Sequence, residues 1–146
     1  MTFNAVPLSE PTSGLIAALE AAGMPTDDLH EPGRRFYRFE NDAGLIGYGG
    51  LEQIDPDALI RSIIVIDDRR GSGFGSAILS WLETEAAGRK ATGLYLLTTS
   101  ATVFFQRHGY AVTPRSAAPP AIAASRQYSP LCPASAAFMF KDLRTQ

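Results

Sequence analysis

The architecture of this chain follows from residues 59–76, LIRSIIVIDDRRGSGFGS. Residues 59–66 form an apolar, β-branched run with the length of a strand. Residues 71–76 form a glycine-rich turn, and an amphipathic segment with helical spacing begins inside it. A strand, a loop and a helix N-terminus in direct succession are the layout of an anion site.

The glycine-rich turn is suited to a phosphate or a pyrophosphate. Gly71, Gly73 and Gly75 allow positive φ and a close approach of backbone N–H groups, and the helix start adds partial positive charge. The spacing Arg70-x-x-Gly73-x-Gly75 differs from the dinucleotide fingerprint and lacks the Lys-Ser/Thr of a P-loop. A turn without any ligand is the alternative interpretation, and residues 67–70 read as a solvated turn.

Composition limits the classes of function. A length of 146 residues with 45% apolar residues predicts one globular domain spanning 1–146. A net charge of −2 gives no general attraction to nucleic acid or to an acidic membrane. One cysteine, Cys132, and two distant histidines, His30 and His108, predict neither a disulfide nor a metal site. No leader is recognisable and no apolar run reaches about 18 residues, so we expect a cytoplasmic protein.

Hydrophobic periodicity and turn residues predict a mixed α/β sheet with helices on both faces. The predicted strands are 2–8, 35–39, 45–51, 58–66, 93–98, 110–112 and 138–140. The first predicted helix starts at a Ser9 or Thr12 cap and ends near Gly23. Two further predicted helices span residues 73–88 and 101–108. Residues 114–133 contain five prolines and read as an ordered loop with one helical turn near 121–125. A loop of this length is a candidate substrate cover.

The R-x-x-G-x-G loop and the order of elements resemble the GNAT superfamily of N-acetyltransferases. The second half of the chain looks like the amino-acid N-acetyltransferases, which include the acetyltransferase domain of N-acetylglutamate synthase. The segments that carry this similarity are 59–65, 94–99, 101–110 and 132–143. The patterns Leu97-Thr98-Thr99, Arg115-x-x-x-Pro119 and Leu131-Cys132-Pro133 look similar to a small branch carried in arsenic-resistance operons. The resemblance covers about residues 40–143.

The resemblance implies direct acetyl transfer from acetyl-CoA to a primary amine in a ternary complex, without a covalent enzyme intermediate or a metal. It also implies that backbone groups of Ile64 and Val65 pair with the pantetheine arm, between a fourth and a fifth strand that splay apart. The pyrophosphate would be held by the amides of Gly71, Ser72, Gly73, Phe74, Gly75 and Ser76, with Arg70 alongside. Phe104 and Arg107 would lie near the lower part of the cofactor.

Arg61 is the most informative charge outside the loop. In an unbroken strand its face is apolar, with Leu59, Ile63 and Val65, so the guanidinium needs a partner. One partner is the α-carboxylate of a substrate amino acid, which suits a planar fork; the resemblance puts the matching arginine at the substrate site of glutamate-acetylating relatives. The other is Glu52, which a tight turn places opposite Arg61 as a cross-strand pair.

Glu52 is also the best candidate for the general base. The attacking ammonium must lose a proton before it is nucleophilic, and a carboxylate can accept it directly or through one water. The alternative is that Glu52 only holds Arg61. The two roles are compatible.

The general acid is less obvious, because Phe105 stands where this superfamily often has a tyrosine that protonates the leaving thiolate. A coenzyme A thiolate is nevertheless a tolerable leaving group, since thiol pKa values lie near 8.5. Thr98, Thr99 or Ser100 can orient the substrate or donate the proton instead, and we assign Thr98 to catalysis and Thr99 to substrate binding. Hydroxyls at this position also cap helices, and Ser100 is the favoured cap.

Two residues of the long loop complete the candidate site. By its resemblance to the arsenic-operon branch, Arg115 binds a second acidic group of the substrate; a solvated loop arginine is the alternative. Cys132 reads as a small buried residue, with a redox or arsenical contact as the alternative.

The sequence therefore predicts an acetyl-CoA-dependent enzyme that acetylates the α-amino group of a small acidic amino acid or a glutamate-like analogue such as arsinothricin. The alternatives are acetylation of another small amine or antibiotic, and a non-catalytic sensor of acetyl-CoA. We expect a small-molecule partner and a monomer or a homodimer.

Overall fold

The computed structural model describes residues 2–24, 26, 29–124 and 136–145. The strands are β1 (Asn4–Leu8), β2 (Arg34–Asn41), β3 (Gly44–Ile54), β4 (Asp57–Val65), β5 (Gly93–Thr98), β6 (Ala111–Val112) and β7 (Ala137–Asp142). The helices are α1 (Ser13–Ala21), α2 (Phe74–Gly88), α3 (Thr102–Arg107) and α4 (Pro120–Ala123). The strands form one sheet in the order β1-β2-β3-β4-β5-β7-β6, in which the β4–β5 pair is parallel and the other pairs are antiparallel.

The predicted mixed sheet is confirmed, and most elements lie within two or three residues of their predicted bounds. Thr12 caps α1, because its hydroxyl oxygen accepts a hydrogen bond from the Leu15 amide at 3.2 Å. Gly23 follows this helix with φ of +70°, as a C′ residue should. The predicted helical turn in the long loop is α4. Cys132 lies outside the described residues, as does most of the loop beyond α4.

Helices cover both faces of the sheet. On one face, Leu15 and Leu19 of α1 pack with Phe36, Tyr48 and Ile64. The opposite face packs against Ile78, Leu79, Leu82 and Ala86 of α2, together with the larger part of the buried apolar side chains. Among the described residues, none of the helices is both long enough and apolar enough to cross a membrane.

A bulge interrupts β4 at Ser62 and Ile63. The ladder with β3 pairs Gly50 with Arg61 but Tyr48 with Ile64, so β4 has one more residue than β3 at this point. Ser62 adopts φ of +62°, which is uncommon outside glycine. The bulge therefore reverses the facing of every later residue in β4.

Because of the bulge, the neighbours predicted for Arg61 are only partly correct. Arg61 shares its face with Leu59, as expected, and with Ile64 after the bulge. Ile63 and Val65 pack toward the opposite core instead. The prediction failed because it assumed strict alternation along an unbroken strand.

The parallel ladder between β4 and β5 is short. It joins Ala58 to Leu94 and Leu59 to Tyr95, whereas β5 pairs with β7 along its whole length. Beyond Leu59 the two strands diverge toward their carboxyl ends, which is the splay implied by the resemblance.

A polar network joins α2 to β7 and to the residue that precedes β6. The Tyr110 hydroxyl donates to Glu83 of α2 at 2.9 Å, and Lys141 of β7 contacts the same carboxylate at 3.0 Å. Burial, followed by the negative charge of Glu83, raises the pKa of Tyr110 far above its usual range, so this tyrosine stays protonated and donates. The network fixes the position of α2, whose first turn adjoins the glycine-rich loop.

Gly47 is a position where only glycine fits. A Cβ on Gly47 would lie 1.8 Å from the carbonyl oxygen of Ile64, next to the bulge. We expect Gly47→Ala to lower the free energy of unfolding by about 3 kcal/mol, because the obstacle is backbone that cannot rotate away. Urea denaturation measures this change.

Gly88 provides the matched control. A Cβ there meets nothing within 4 Å at the end of α2. Gly88→Ala should raise the free energy of unfolding by about 0.4–1 kcal/mol, since alanine loses less entropy on folding. Equal destabilisation by the two variants would contradict the close approach of β3 and β4.

Candidate functional site

The glycine-rich loop forms a cavity at the start of α2. After β4, a 3-10 turn at Asp67–Arg69 leads into Gly71 and Gly73, whose φ angles are +81° and +83°. The cavity has a volume of about 260 Å³. Its lining is mostly predicted cofactor residues: Val65, Arg69, Arg70, Gly71, Gly73, Phe74, Gly75, Ser76 and Phe104.

The first turn of α2 suits an anion. Gly73 is the N-cap residue and has no side chain with which to satisfy the amides that a helix leaves without internal partners. These N–H groups and the helix dipole favour negative charge in the adjoining cavity. The residues present therefore fit a pyrophosphate group.

Two arginines border this loop in different ways. Arg69, read from the sequence as part of a solvated turn, hydrogen-bonds to the Asn41 side chain and the Gly44 carbonyl, and lies 5.3 Å from the centre of the Phe74 ring. Its guanidinium is thus held beside the cavity by the turn between β2 and β3.

Arg70 lies alongside the loop and is exposed. Its Nε donates to the carbonyl oxygen of Val65 at 2.9 Å, and it pairs with Asp67 at 3.0 Å. The resemblance assigns backbone groups of Val65 to the pantetheine arm. An arm that bonded to this carbonyl would share it with Arg70 or displace Arg70 from it, since a carbonyl oxygen has two lone pairs.

His108 is a contact that the sequence reasoning missed. Its Nε2 lies 3.0 Å from the hydroxyl oxygen of Ser76, and its ring lies 4.8 Å from that of Phe104. The Phe104 ring is also 3.6 Å from where a Cβ on Gly75 would lie, so it packs closely on the loop. Arg107 is exposed and does not line this cavity.

A second cavity opens where β4 and β5 diverge, with a volume of about 170 Å³. Phe104 borders both cavities. The remaining lining comes from the two strands and the start of α3, together with Met24: Met24, Ile60, Arg61, Ser62, Ile63, Leu96, Leu97, Thr98, Ser100, Ala101 and Phe105.

The structure thus places Arg61 and Thr98 in the lining of one cavity, and three other predicted residues lie outside that lining: Glu52, Thr99 and Arg115. Thr99 is exposed and lies outside the lining of the second cavity. Arg115 is half-buried and donates to the carbonyl oxygen of Ala136 at 3.0 Å, without lining the cavity.

Arg61 is buried, as its apolar setting predicted. Its Nε donates to the Ser62 hydroxyl at 3.2 Å, and its guanidinium carbon lies 5.6 Å from the centre of the Phe36 ring. Its Nη1 is 3.7 Å from Oε1 of Glu52. The predicted ion pair therefore exists, but its geometry is diagonal: Glu52 lies opposite Leu59, and Gly50 lies opposite Arg61.

Arg34 is a second buried arginine on the same carboxylate. It lies opposite Glu52 in the β2–β3 ladder, and its Nη2 is 3.7 Å from Oε2 of Glu52. The sequence analysis missed it because the predicted strand began one residue later, at Arg35. Glu52 therefore lies between two guanidinium groups, one on each of its oxygens.

Ala101 is the N-cap residue of α3 and no side chain among the described residues caps this helix, so the expected Ser100 cap is wrong. The hydroxyl oxygen of Thr98 accepts hydrogen bonds from the amides of Ala101 at 3.0 Å and Ser100 at 3.4 Å. Accepting these bonds leaves the hydroxyl proton of Thr98 available to donate. Phe105 is buried against Phe104 and Tyr110 and offers the cavity no proton donor.

Comparisons with known proteins agree with this geometry. A family model described as an acetyltransferase (GNAT) domain matches residues 32–112. No curated protein matches the sequence.

Three solved structures share the fold. N-acetylglutamate synthase from Neisseria gonorrhoeae, complexed with coenzyme A and N-acetyl-glutamate, has 17% identity and a TM-score of 0.79 over 98% of this chain. This chain covers only 35% of the synthase. An acetyltransferase of the GNAT family from Staphylococcus aureus has 17% identity and a TM-score of 0.72, covering 97% of this chain and 99% of its own. A GNAT family acetyltransferase from Elizabethkingia anophelis with acetyl-CoA bound has 15% identity and a TM-score of 0.70, covering 96% and 97%.

Removal of the Glu52 charge should cost more stability than removal of a carboxylate from a surface pair, because it leaves buried guanidinium groups uncompensated. We expect Glu52→Gln to lower the free energy of unfolding by about 3 kcal/mol, because it removes the negative charge between Arg34 and Arg61. Thermal and urea denaturation at neutral pH measure the loss.

Glu40→Gln is the matched control, since Glu40 forms a half-exposed pair with Arg38 at 3.0 Å. Its effect should stay within about 0.5 kcal/mol. If Glu52→Gln also changed the free energy of unfolding by no more than about 0.5 kcal/mol, the buried ion pairs would matter no more than a surface pair.

Proposed function

The chain belongs to the GNAT acetyltransferase family, and we propose that it uses acetyl-CoA to acetylate the α-amino group of a small acidic amino acid. The observation that carries this proposal is Arg61, a buried guanidinium that lines the cavity between the diverging strands. Arg61 already pairs with Glu52, so its support for the proposal is its place in the cavity lining, where a guanidinium can bind a carboxylate in a planar, forked geometry.

The loop cavity is the proposed cofactor end of the site. We assign the pyrophosphate of acetyl-CoA to the amides of residues 71–76, which the positive φ of Gly71 and Gly73 supports. The divergence of β4 and β5 supports an arm that runs past Ile64 and Val65. When bound, acetyl-CoA supplies an acetyl thioester, whose carbonyl carbon is the electrophile.

The cavity lined by Arg61 is the proposed acceptor end. Arg61 binds the α-carboxylate and so directs the adjacent amine toward Phe104, the residue shared by the two cavities. Glu52 lies outside the cavity lining, so the amine loses its proton to this carboxylate through a water, and its nitrogen then forms the amide bond as the carbon–sulfur bond breaks. Thr98, whose hydroxyl proton is available, donates to the departing sulfur.

The acceptor is proposed to resemble glutamate. The synthase from Neisseria gonorrhoeae was solved with N-acetyl-glutamate and shares the fold. The sequence also resembles the arsenic-operon branch, so a glutamate-like arsenical amino acid such as arsinothricin is a candidate. Acetylation would block its amine, and Arg115 would bind its second acidic group.

The cofactor assignment predicts a selective effect of Gly73→Ala. A side chain in a left-handed conformation costs about 1–2 kcal/mol, and the strained loop should present its amides poorly. We expect the Kd for acetyl-CoA, measured by calorimetry, to rise at least about tenfold. Gly23→Ala is the control, because Gly23 has φ of +70° and open space around it at the end of α1. The Gly23→Ala variant should lose a comparable amount of stability but keep the wild-type Kd for acetyl-CoA. An equal rise in Kd for both variants would contradict the assignment of the loop to the cofactor.

The acceptor assignment predicts turnover of acidic amino acids that depends on Arg61. Release of free coenzyme A thiol is measured with glutamate, phosphinothricin, arsinothricin, a polyamine and a tripeptide. Arg61→Gln should lower kcat/KM for the acidic acceptors by on the order of 100-fold, because a buried charge partner is lost. The KM for acetyl-CoA should stay unchanged, and Arg89→Gln, which alters a surface pair with Glu85, should behave as the wild type.

Two results would overturn this assignment. Equal turnover of the polyamine and the tripeptide would point to an acetyltransferase for another class of amine. Thermal stabilisation by acetyl-CoA without thiol release from any acceptor would point to a sensor, in line with the missing donor at Phe105.

A further inference from the structure

We propose that Arg34 sets the preference of the acceptor site for a carboxylate, because it shares the charge of Glu52 with Arg61. This inference rests on the proposed function, since it concerns the same acceptor cavity. Arg34 acts through Glu52 and is a positioning residue: it positions the Glu52 carboxylate and thereby affects the charge that Arg61 presents to the substrate.

Four charged side chains of alternating sign form a series from the surface to the buried cavity. The order is Glu31, Arg34, Glu52 and Arg61, and each neighbouring pair has a nitrogen–oxygen distance of 3.7 Å. The side-chain exposures along the series are 35%, 8%, 6% and 0%. Arg34 is thus the link between a half-exposed carboxylate and a buried one.

Each oxygen of Glu52 faces a different arginine. Oε2 is the atom near Arg34, and Oε1 is the atom near Arg61. This division orients the carboxylate along the line between the two guanidinium groups. The ion pair with Arg61 thus uses Oε1, and the ion pair with Arg34 uses Oε2.

The position of Arg34 is determined by the turn before β2. Its Nη1 donates to the carbonyl oxygen of Pro32 at 2.8 Å. The next residue, Gly33, has φ of +86° and accepts a hydrogen bond from the Gln53 amide at 2.9 Å. The turn is thereby joined to β3 next to Glu52, and this connection places the Arg34 guanidinium on one side of the carboxylate.

Arg34 does not line the cavity, whereas Arg61 does. Its removal takes one positive charge from the cluster and allows Glu52 to turn both oxygens toward Arg61. Both changes lower the positive potential that a substrate carboxylate meets, whatever else these side chains contact. The effect is a difference between two acceptors that differ in charge, which loss of stability alone would not produce.

The experiment compares L-glutamate with its α-amide, isoglutamine, which differ in the α-carboxylate alone. The measured quantity is the ratio of their kcat/KM values in coenzyme A release assays. We expect Arg34→Gln to lower this ratio about tenfold, mainly through a higher KM for glutamate. The KM for acetyl-CoA should stay at the wild-type value, which also reports that the variant is folded.

Three further variants test whether Arg34 changes the selectivity ratio through its charge and through Glu52. Arg34→Lys keeps the charge and should keep most of the selectivity. Arg38→Gln, four residues along β2 on the same face, removes a half-exposed arginine and should leave the ratio unchanged. In a Glu52→Gln background the proposed general base is gone, so the ratio of the Kd values for glutamate and isoglutamine replaces turnover. Arg34→Gln should change that ratio by less there than it does with Glu52 present, because the part of the effect that runs through the carboxylate is gone.

The outcomes separate this inference from the proposed function. If the wild type does not prefer glutamate to isoglutamine, the carboxylate site itself is wrong. If the wild type prefers glutamate and folded Arg34→Gln keeps the same ratio, Arg34 has no role in selectivity. If Arg34→Gln does not fold, Arg34→Lys decides, since loss of selectivity with the charge retained would contradict the charge argument.

Discussion

The bulge at Ser62 in β4 is the local feature on which the site depends. An extra residue bends a strand and reverses the facing of the residues beyond it. Before the bulge, Leu59 and Arg61 share one face of the strand. After it, Ile64 joins that face, where it packs with α1, and Val65 packs toward α2. The strand also parts from β5 after Leu59, and the space so opened is the cavity that Arg61 lines.

The buried charges on this face are costly to desolvate and are retained in a definite order. Glu52 lies between Arg34 and Arg61, and neither arginine directly opposes the other in the sheet. Replacing such clusters by apolar residues is often neutral or stabilising, so stability is a weak reason for their presence. A requirement to present positive charge to an anionic acceptor is a stronger reason, and it is the reason we propose.

The two cavities meet at Phe104. One is lined by glycines and backbone amides at the start of α2, and the other by a buried guanidinium and a threonine hydroxyl. In the proposed function, the anionic cofactor and the anionic acceptor have separate sources of positive charge: a helix N-terminus for the first and Arg61 for the second. This separation allows both reactants to bind at once, as direct transfer between them requires.

Sequence patterns alone were sufficient for the glycine-rich loop, the seven strands and the burial of Arg61. Each depends on local spacing: glycines at alternate positions, turn residues between apolar runs, and one charge inside an apolar strand. The bulge, the diagonal pairing of Glu52 with Arg61 and the part played by Arg34 needed the folded sheet. Their geometry depends on register between strands, and a single extra residue changes register without any mark in the hydrophobic pattern. The contact of Ser76 with His108 likewise joins residues from α2 and the end of α3, and only the packing of these helices brings the two side chains together.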